Sequence, residues 1–282
     1  MTTYAVTGAS GQLGRKIVQS LLDLHISPFD VIALARDTSK VEDLTDLGVR
    51  ARTADYDQPE TLGAALEGVD RLVLVSASEP GKRLPQHQAV ITAAEAAGVQ
   101  RLVYTSLLKA DDTTNGLAPE HVATEGLLAE SSLETVSLRN SWYTENYTAQ
   151  IPGYLERGIV GAAGEGRIAA ATRQDFAEAA AAAVTADTVK PVYELGGESF
   201  TMAAFAAALS EASGKDITYT NVSVEDLVAG MVAAGMDEGT AGFWASIDAS
   251  IEKGDLDTDS TDLADLIGRK PTSLADAIKA AL

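Results

Sequence analysis

Apolar runs of strand length recur along the first half of this chain. Between them lie longer stretches in which apolar positions return at helical spacing. Tyr4–Gly8, Asp30–Ala35, Arg50–Ala54, Asp70–Val75, Gln100–Ser106 and Glu134–Leu138 predict strands. Gln12–Leu24, Ser39–Leu47, Glu60–Glu67, Gln86–Ala97 and Glu120–Glu130 predict the intervening helices. Gly48, Gly68 and Gly98 each follow a predicted helix and precede a strand, where glycine acts as a helix stop. Strands alternating with helices make parallel βαβ units, and almost wholly apolar strands require helices on both faces of the sheet. The pattern predicts an α/β fold, a Rossmann doubly wound parallel sheet with a smaller C-terminal lobe.

After about residue 150 the rhythm breaks. Ala177–Val184 predicts an alanine-rich helix packed closely on the sheet, and Val192–Leu195 predicts one more strand, which is free to return to that sheet. Thr201–Ala212, Ser223–Ala234 and Ser273–Leu282 predict helices, with Thr201 and Ser223 as capping candidates. Gly254–Asp262 is acidic and polar and predicts a surface loop. The expected division is therefore 1–150 as the Rossmann domain and 151–282 as a smaller mixed substrate lobe.

Composition narrows the function classes. The chain has 282 residues, 46% of them hydrophobic, enough for a sizeable core. With 41 acidic and 21 basic residues the formal net charge is −20, which opposes binding to nucleic acid. Cysteine is absent, so disulfides and thiolate chemistry are excluded, and a cytoplasmic location is the expectation. No apolar run is long enough to span a membrane, and the first residues lack the features of a signal peptide. His25, His87 and His121 show no metal-ligand spacing, so no metal site is expected.

The chemistry begins in the first turn. Thr7-Gly8-Ala9-Ser10-Gly11-Gln12-Leu13-Gly14 leaves the first strand and opens the first helix. Gly8 permits the tight turn, Gly11 lets backbone approach a pyrophosphate, and Gly14 lets helix pack on strand. The helix start offers free N–H groups to phosphate. A dinucleotide is the expected ligand. Arg36 ends the second strand about 20 residues further on, where a ribose-reading residue belongs. A guanidinium there suits a 2′-phosphate, so NADP(H) is the expected cofactor, with Lys40 as a second charge. Asp55 is placed to meet the adenine amino group, and Val75, Ser76, Ala77 and Ser78 end the fourth strand and are expected to line the crevice.

Ser106 ends the fifth strand, where a short-chain dehydrogenase carries its carbonyl-binding Ser. The Tyr-x-x-x-Lys pair of those enzymes is missing from the following helix, which carries His121-Val122-Ala123-Thr124-Glu125. His121 has the unperturbed pKa of a proton donor near neutrality. Arg173 and Asp175 read as an ion pair between lobes.

Several segments carry a family resemblance: the Thr7–Gly14 turn, Ala54-Asp55-Tyr56, Tyr104-Thr105-Ser106-Leu107-Leu108, Glu120-His121, Leu138-Arg139-Asn140-Ser141-Trp142-Tyr143-Thr144-Glu145-Asn146-Tyr147 and Gly161-Ala162-Ala163-Gly164. Over nearly its whole length the chain resembles the NmrA-like atypical short-chain dehydrogenases, and among them the bacterial type-2 NAD(P)H:quinone oxidoreductases. The resemblance implies flavin-free, NADPH-dependent hydride transfer to a quinone or similar planar conjugated acceptor. It implies that Gly8–Leu13 hold the pyrophosphate and Arg36 the 2′-phosphate. It implies that Arg139, Asn140, Ser141, Trp142, Tyr143 and Thr144 surround the nicotinamide, that Gly164 to Arg167 form part of the pocket rim, and that Trp142, Tyr143 and Tyr147 offer the planar acceptor aromatic surfaces to stack on. Ser106, His121 and Tyr143 are the catalytic candidates. Two readings stay open beside it: a non-catalytic NADP-binding redox sensor of the NmrA type, and a triphenylmethane or azo dye reductase. A homodimer also stays open.

Overall fold

The computed structural model describes residues 2–79 and 81–282. Its first half runs β1 (Tyr4–Val6), α1 (Gln12–Asp23), β2 (Val31–Ala35), α2 (Glu42–Asp46), β3 (Arg50–Thr53), α3 (Glu60–Leu66), β4 (Arg71–Leu74), α4 (Arg83–Ala97), β5 (Arg101–Leu107), α5 (Ala118–Glu130) and β6 (Glu134–Asn140). Every strand and helix expected before residue 140 is present, with ends moved by a few residues. The largest change is in Ser39–Leu47, which splits into a 3₁₀ turn at Thr38–Val41 and the short α2. Asp37 stops the helix from starting earlier, because its carboxylate accepts from the Ser39 N–H and hydroxyl.

The second half adds α6 (Glu145–Thr148), α7 (Ile151–Arg157), β7 (Ile159–Gly161), β8 (Arg167–Ile168), α8 (Arg173–Thr185), β9 (Val192–Leu195), β10 (Phe200–Thr201), α9 (Met202–Ser213), β11 (Tyr219–Asn221), α10 (Val224–Ala233), α11 (Glu238–Glu252), α12 (Asp262–Ile267) and α13 (Leu274–Ala281). Seven strands form one sheet in the order β3-β2-β1-β4-β5-β6-β9, every neighbouring pair parallel. The strand order reverses between β1 and β4, which opens the ligand crevice of a doubly wound sheet. β3 carries Arg50 and Arg52 because it is an edge strand, with one side free for charge.

Two apolar layers enclose the sheet. On one face α1 and α8 pack with Val6, Val73, Val103, Val136 and Leu138. On the other, α3, α4 and α5 cover Ala5, Ile32, Leu72, Leu102 and Tyr104. Alanines at 177, 179, 180, 181 and 183 are all buried, which lets α8 lie close to α1 and the sheet. Past residue 150 the chain returns to the Rossmann layer in α8, β9 and α12, while a third core around Phe200, Phe205, Ile247 and Ile251 fills the smaller lobe. The lobe's two small sheets, β10-β8 and β11-β7, have strands of two or three residues, too short for periodicity to signal.

Helix α11 was not expected. Asp237 caps it by accepting from the Thr240 N–H (2.9 Å), and its buried face includes the small residues Ala241 and Ala245, which blur an apolar stripe. The Gly254–Asp262 segment also departs from expectation, because Asp255 and Leu256 are buried. Asp255 accepts from the Thr114 N–H (2.9 Å) and hydroxyl (2.6 Å), and the Leu256 carbonyl accepts from the Ala169 N–H (2.8 Å) and the Ser141 hydroxyl (3.0 Å). The acidic loop finds donors on both lobes and seals the seam between them. Arg173 and Asp175 do not pair with each other. Two residues apart on a helix, they diverge: Arg173 meets Glu145 (3.5 Å) and Asp175 meets Arg269 (2.8 Å).

Close approach of α1 to β1 gives a direct test. A Cβ on Gly14 would lie 2.3 Å from the Gly8 carbonyl oxygen, inside contact distance of rigid backbone. Gly14→Ala is expected to cost roughly 1–3 kcal/mol as an overpacking substitution. Urea denaturation should show a lower midpoint at unchanged slope; an unmoved midpoint would mean that α1 shifts freely off the strand.

Candidate active site

The crevice at the strand carboxyl ends holds a cleft of about 280 Å³. Gly8, Ser10, Gly11, Gln12, Leu13 and Gly14 form its floor, Arg36, Asp55 and Tyr56 one wall, and Val75, Ser76, Ala77 and Ser78 the other. Gly8 adopts φ +59°, the left-handed turn that glycine tolerates. Helix α1 starts without a side-chain cap and without an acid in its first turn. Its first N–H groups thus lack a side-chain acceptor, as a phosphate site needs. Ala9 is buried below the floor, its N–H donating to the Leu34 carbonyl (3.0 Å). Arg36 is exposed and 3.9 Å from Glu79, a loose surface pair. Asp55 accepts from the Asp57 N–H (3.1 Å) and the Gln58 amide (2.9 Å), which shapes the loop that bounds the cleft.

Two side chains of α4, one turn apart, grip the peptide groups of Ala77. Its N–H donates to His87 Nε2 (3.0 Å) and its carbonyl accepts from Arg83 Nε (2.9 Å). Since Nε2 accepts, Nδ1 carries the proton and faces the Thr124 hydroxyl (3.0 Å), which donates to the Glu120 carbonyl (2.8 Å). The crevice wall at residues 75–78 is thus fastened to α4 and α5 through buried groups.

Strand β5 meets α5 through two matched rungs. Residues two apart on a strand and four apart on a helix each share a face. Tyr104 lies against His121 (hydroxyl to Nδ1, 2.7 Å), and the Ser106 hydroxyl donates to Glu125 (2.6 Å). His121 is buried, and burial, followed by the charge of Arg83, lowers its pKa to about 3. This corrects the expectation of a proton donor near neutrality: at pH 7 the ring is neutral. Burial does the same to His87, also lowering it to about 3.

None of Arg139, Asn140, Ser141, Trp142, Tyr143, Thr144 and Arg167 lines this cleft. Strand β6 lies three strands from β1, about 14 Å at the usual strand spacing. The Arg139 side chain is turned into a charge cluster. It binds Glu125 (2.7 and 3.1 Å), Asp111 (2.8 and 3.0 Å) and Glu194 (2.9 Å). Its hydrogen bonds to Glu125, above all, push its pKa further up, and Arg139 in turn holds Asp111 below the usual carboxylate range. With every guanidinium nitrogen committed to a carboxylate, this side chain has no free donor for the nicotinamide. Ser141 is buried and spent on Leu256, and Thr144 is buried with its N–H donating to Ala171 (2.9 Å). Tyr143 lies under the Arg173 guanidinium (4.5 Å) and edge-on to Phe176. Tyr147 is buried against Phe200 and Phe205, so it packs the lobe core instead of offering a stacking surface; Trp142 packs on the same core but is half-buried. Arg167 extends to Ser199 on the exposed side of the lobe. Ala35, Asp57, Glu79 and Gln86 line the cleft without having been singled out, and Gln86 left no signal, since a helix-start Gln is common.

Similarity to known proteins agrees with this geometry. The model of a family described as NAD(P)H-binding matches residues 8–187. Quinone oxidoreductase 2 of Escherichia coli strain K12 is 45% identical over 277 residues, 97% of this chain and 96% of that protein. This chain belongs to the NAD(P)H-binding, NmrA-like family. Among solved structures, an NADPH-dependent quinone oxidoreductase of E. coli complexed with NADPH superimposes with TM-score 0.95 at 43% identity, covering 99% of each chain. A Citrobacter sp. triphenylmethane reductase complexed with NADP(H) gives TM-score 0.94 at 36% identity, covering 99% of this chain and 100% of that one. An NAD(P)H azoreductase of Xenophilus azovorans is 30% identical over 84% of this chain and 82% of that protein. NAD(P)H is the family's ligand, and the open turn at Gly8–Gly14 fits it. Among the described residues no helix of this NmrA-like protein is long and apolar enough to cross a membrane.

The buried histidines predict a pH dependence. Their ordinary pKa is 6.5 and their folded value about 3, so across that window the unfolded chain takes up protons that the folded chain refuses. Stability is therefore fully present above about pH 6.5 and falls as pH drops, approaching about 1.4 kcal/mol per pH unit for each histidine. Urea unfolding between pH 6.5 and 5 should show that fall, and His121→Gln should halve the histidine part. An identical profile in the variant would show that His121 charges freely in the fold.

Proposed function

We propose that this NmrA-like chain is an NADPH-dependent reductase that transfers hydride to a quinone or a similar planar conjugated acceptor, without flavin, in the cytoplasm. The observation that carries the reading is full-length likeness, at 45% identity, to a quinone oxidoreductase, over a cleft shaped for the nucleotide half of the cofactor. The Gly8–Gly14 turn binds the pyrophosphate on backbone N–H groups. Arg36, exposed at the cleft mouth, is free to leave Glu79 for a 2′-phosphate. Ser76, Ala77 and Ser78, with Ala77 held by His87 and Arg83, support the ribose beyond it. The backbone of Asn140–Thr144, at the end of β6, serves the far end of the extended cofactor.

When bound, the nicotinamide supplies the hydride. The protein's part is orientation and stabilisation of negative charge that develops on the acceptor oxygen. We assign His121 as a neutral donor in the tautomer that carries its proton on Nε2, with Nδ1 accepting from the Tyr104 hydroxyl 2.7 Å away. Ser106 positions Glu125, which anchors Arg139. Tyr143, braced by Arg173, and the half-buried Trp142 flank the acceptor. A quinone needs no strong acid, because hydride plus one solvent proton gives the hydroquinone. That removes the need for a Tyr-Lys pair. A dye reductase is the second reading, favoured by the azoreductase and triphenylmethane reductase likenesses.

The test follows absorbance of the reduced nicotinamide with NADPH or NADH after adding a benzoquinone, with dyes in parallel. Protein-dependent oxidation favouring NADPH and quinone is the expected result; turnover confined to dyes selects the second reading. Tight NADPH binding with no turnover of any acceptor would leave a sensor. Arg36→Ala is expected to weaken NADPH roughly 10- to 100-fold, the loss of a charged hydrogen bond, and NADH little. Equal loss for both would remove Arg36 from the 2′-phosphate.

A further inference from the structure

Gln86 lies in the first turns of α4, in the cleft wall beside Asp57, and is only 5% exposed. Its Nε2 donates to the Asp57 carboxylate (2.9 Å). A carboxylate only accepts, so this bond fixes which way round the amide sits. The other end, Oε1, is buried and has no hydrogen-bond partner. A buried amide oxygen without a donor is uncommon and costly, and at a cleft wall it calls for a ligand that brings the donor. Asp55, expected from the sequence to meet the adenine amino group, instead spends its two carboxylate oxygens within its own loop, on the Asp57 N–H (3.1 Å), which holds Asp57, and on the Gln58 side-chain amide (2.9 Å).

The position says which part of the ligand arrives there. The pyrophosphate belongs at Gly8–Gly14, and the ribose phosphate at Arg36. Asp57, after β3, and Gln86, bonded to it, line the same cleft apart from those groups, and this part is left for the base. Adenine carries an exocyclic amino group, a donor, at the edge where hypoxanthine carries a carbonyl. We propose that Gln86, held in one orientation by Asp57, accepts a hydrogen bond from that amino group through Oε1 and makes the protein selective for adenine in its cofactor. The inference rests on the dinucleotide reading of the cleft and is independent of the acceptor.

The test is binding without any acceptor, read from the fluorescence of the reduced nicotinamide. NADPH is titrated against its hypoxanthine analogue, reduced nicotinamide hypoxanthine dinucleotide phosphate. The native chain is expected to hold NADPH roughly 10- to 100-fold more tightly, because the analogue opposes one carbonyl oxygen to another. Gln86→Leu should weaken NADPH and leave the analogue nearly unchanged, so that the preference collapses. Asp57→Asn, an exposed substitution that does not enter the core, should also narrow the preference, because the Gln86 amide is then free to turn over and present Nε2. If the native chain binds both nucleotides equally, or if Gln86→Leu and Asp57→Asn both keep the native preference, Gln86 does not read the base. If neither nucleotide binds, the cleft itself has been misread, and the Gln86 assignment falls with it.

Discussion

Helix α1 starts where it does because Gly14 has no side chain. Its backbone lies so close to the Gly8 carbonyl that even one methyl group would overlap it. That contact fixes the helix start above the carboxyl end of β1, at the reversal of strand order where a doubly wound sheet opens. The free N–H groups of the first turn, the left-handed Gly8 and the guanidinium of Arg36 face one cleft as a consequence. Shifted by one residue, the same groups would no longer converge on one phosphate pair.

The opposite end of the site depends on charge. Arg139 draws Glu125 of α5, Asp111 of the loop after β5 and Glu194 of β9 onto one guanidinium. Removing that cation would leave three carboxylates facing one another, Glu125 the most buried of them, so the cluster specifies an arrangement more than it adds net stability. It connects the last sheet strand, the helix that carries His121 and the loop beneath the smaller lobe. Asp255 and Leu256 continue this polar seam.

Between these ends the protein keeps two buried histidines, His87 and His121, neutral. His87 spends both ring nitrogens on holding Ala77 and Thr124, and His121 is paired with Tyr104. Burial makes protonation of either ring expensive, so the site holds oriented dipoles where a hydrolytic or ketone-reducing centre would hold a charged acid. Oriented dipoles suffice when the acceptor is already electron-poor and the cofactor carries the difficult step.

The strand–helix alternation up to β6, the glycine turn and Arg36 were legible in the sequence because each rests on local rules: residue period, backbone freedom, and spacing after a strand. Helix α11 and the two-residue strands were not, since small residues and short pairings leave no periodic trace. Nor was the commitment of Arg139, which reads as one residue of a motif until three carboxylates from distant segments surround it. His121 looked like an acid because its intrinsic pKa is that of one; only packing against Tyr104 and α4 decided that it stays neutral. By itself the sequence determined the kind of sheet and the place of its phosphate turn. The tertiary structure decided which polar side chains still have a free hydrogen bond to offer, because desolvation and partner choice depend on neighbours that are far apart along the chain.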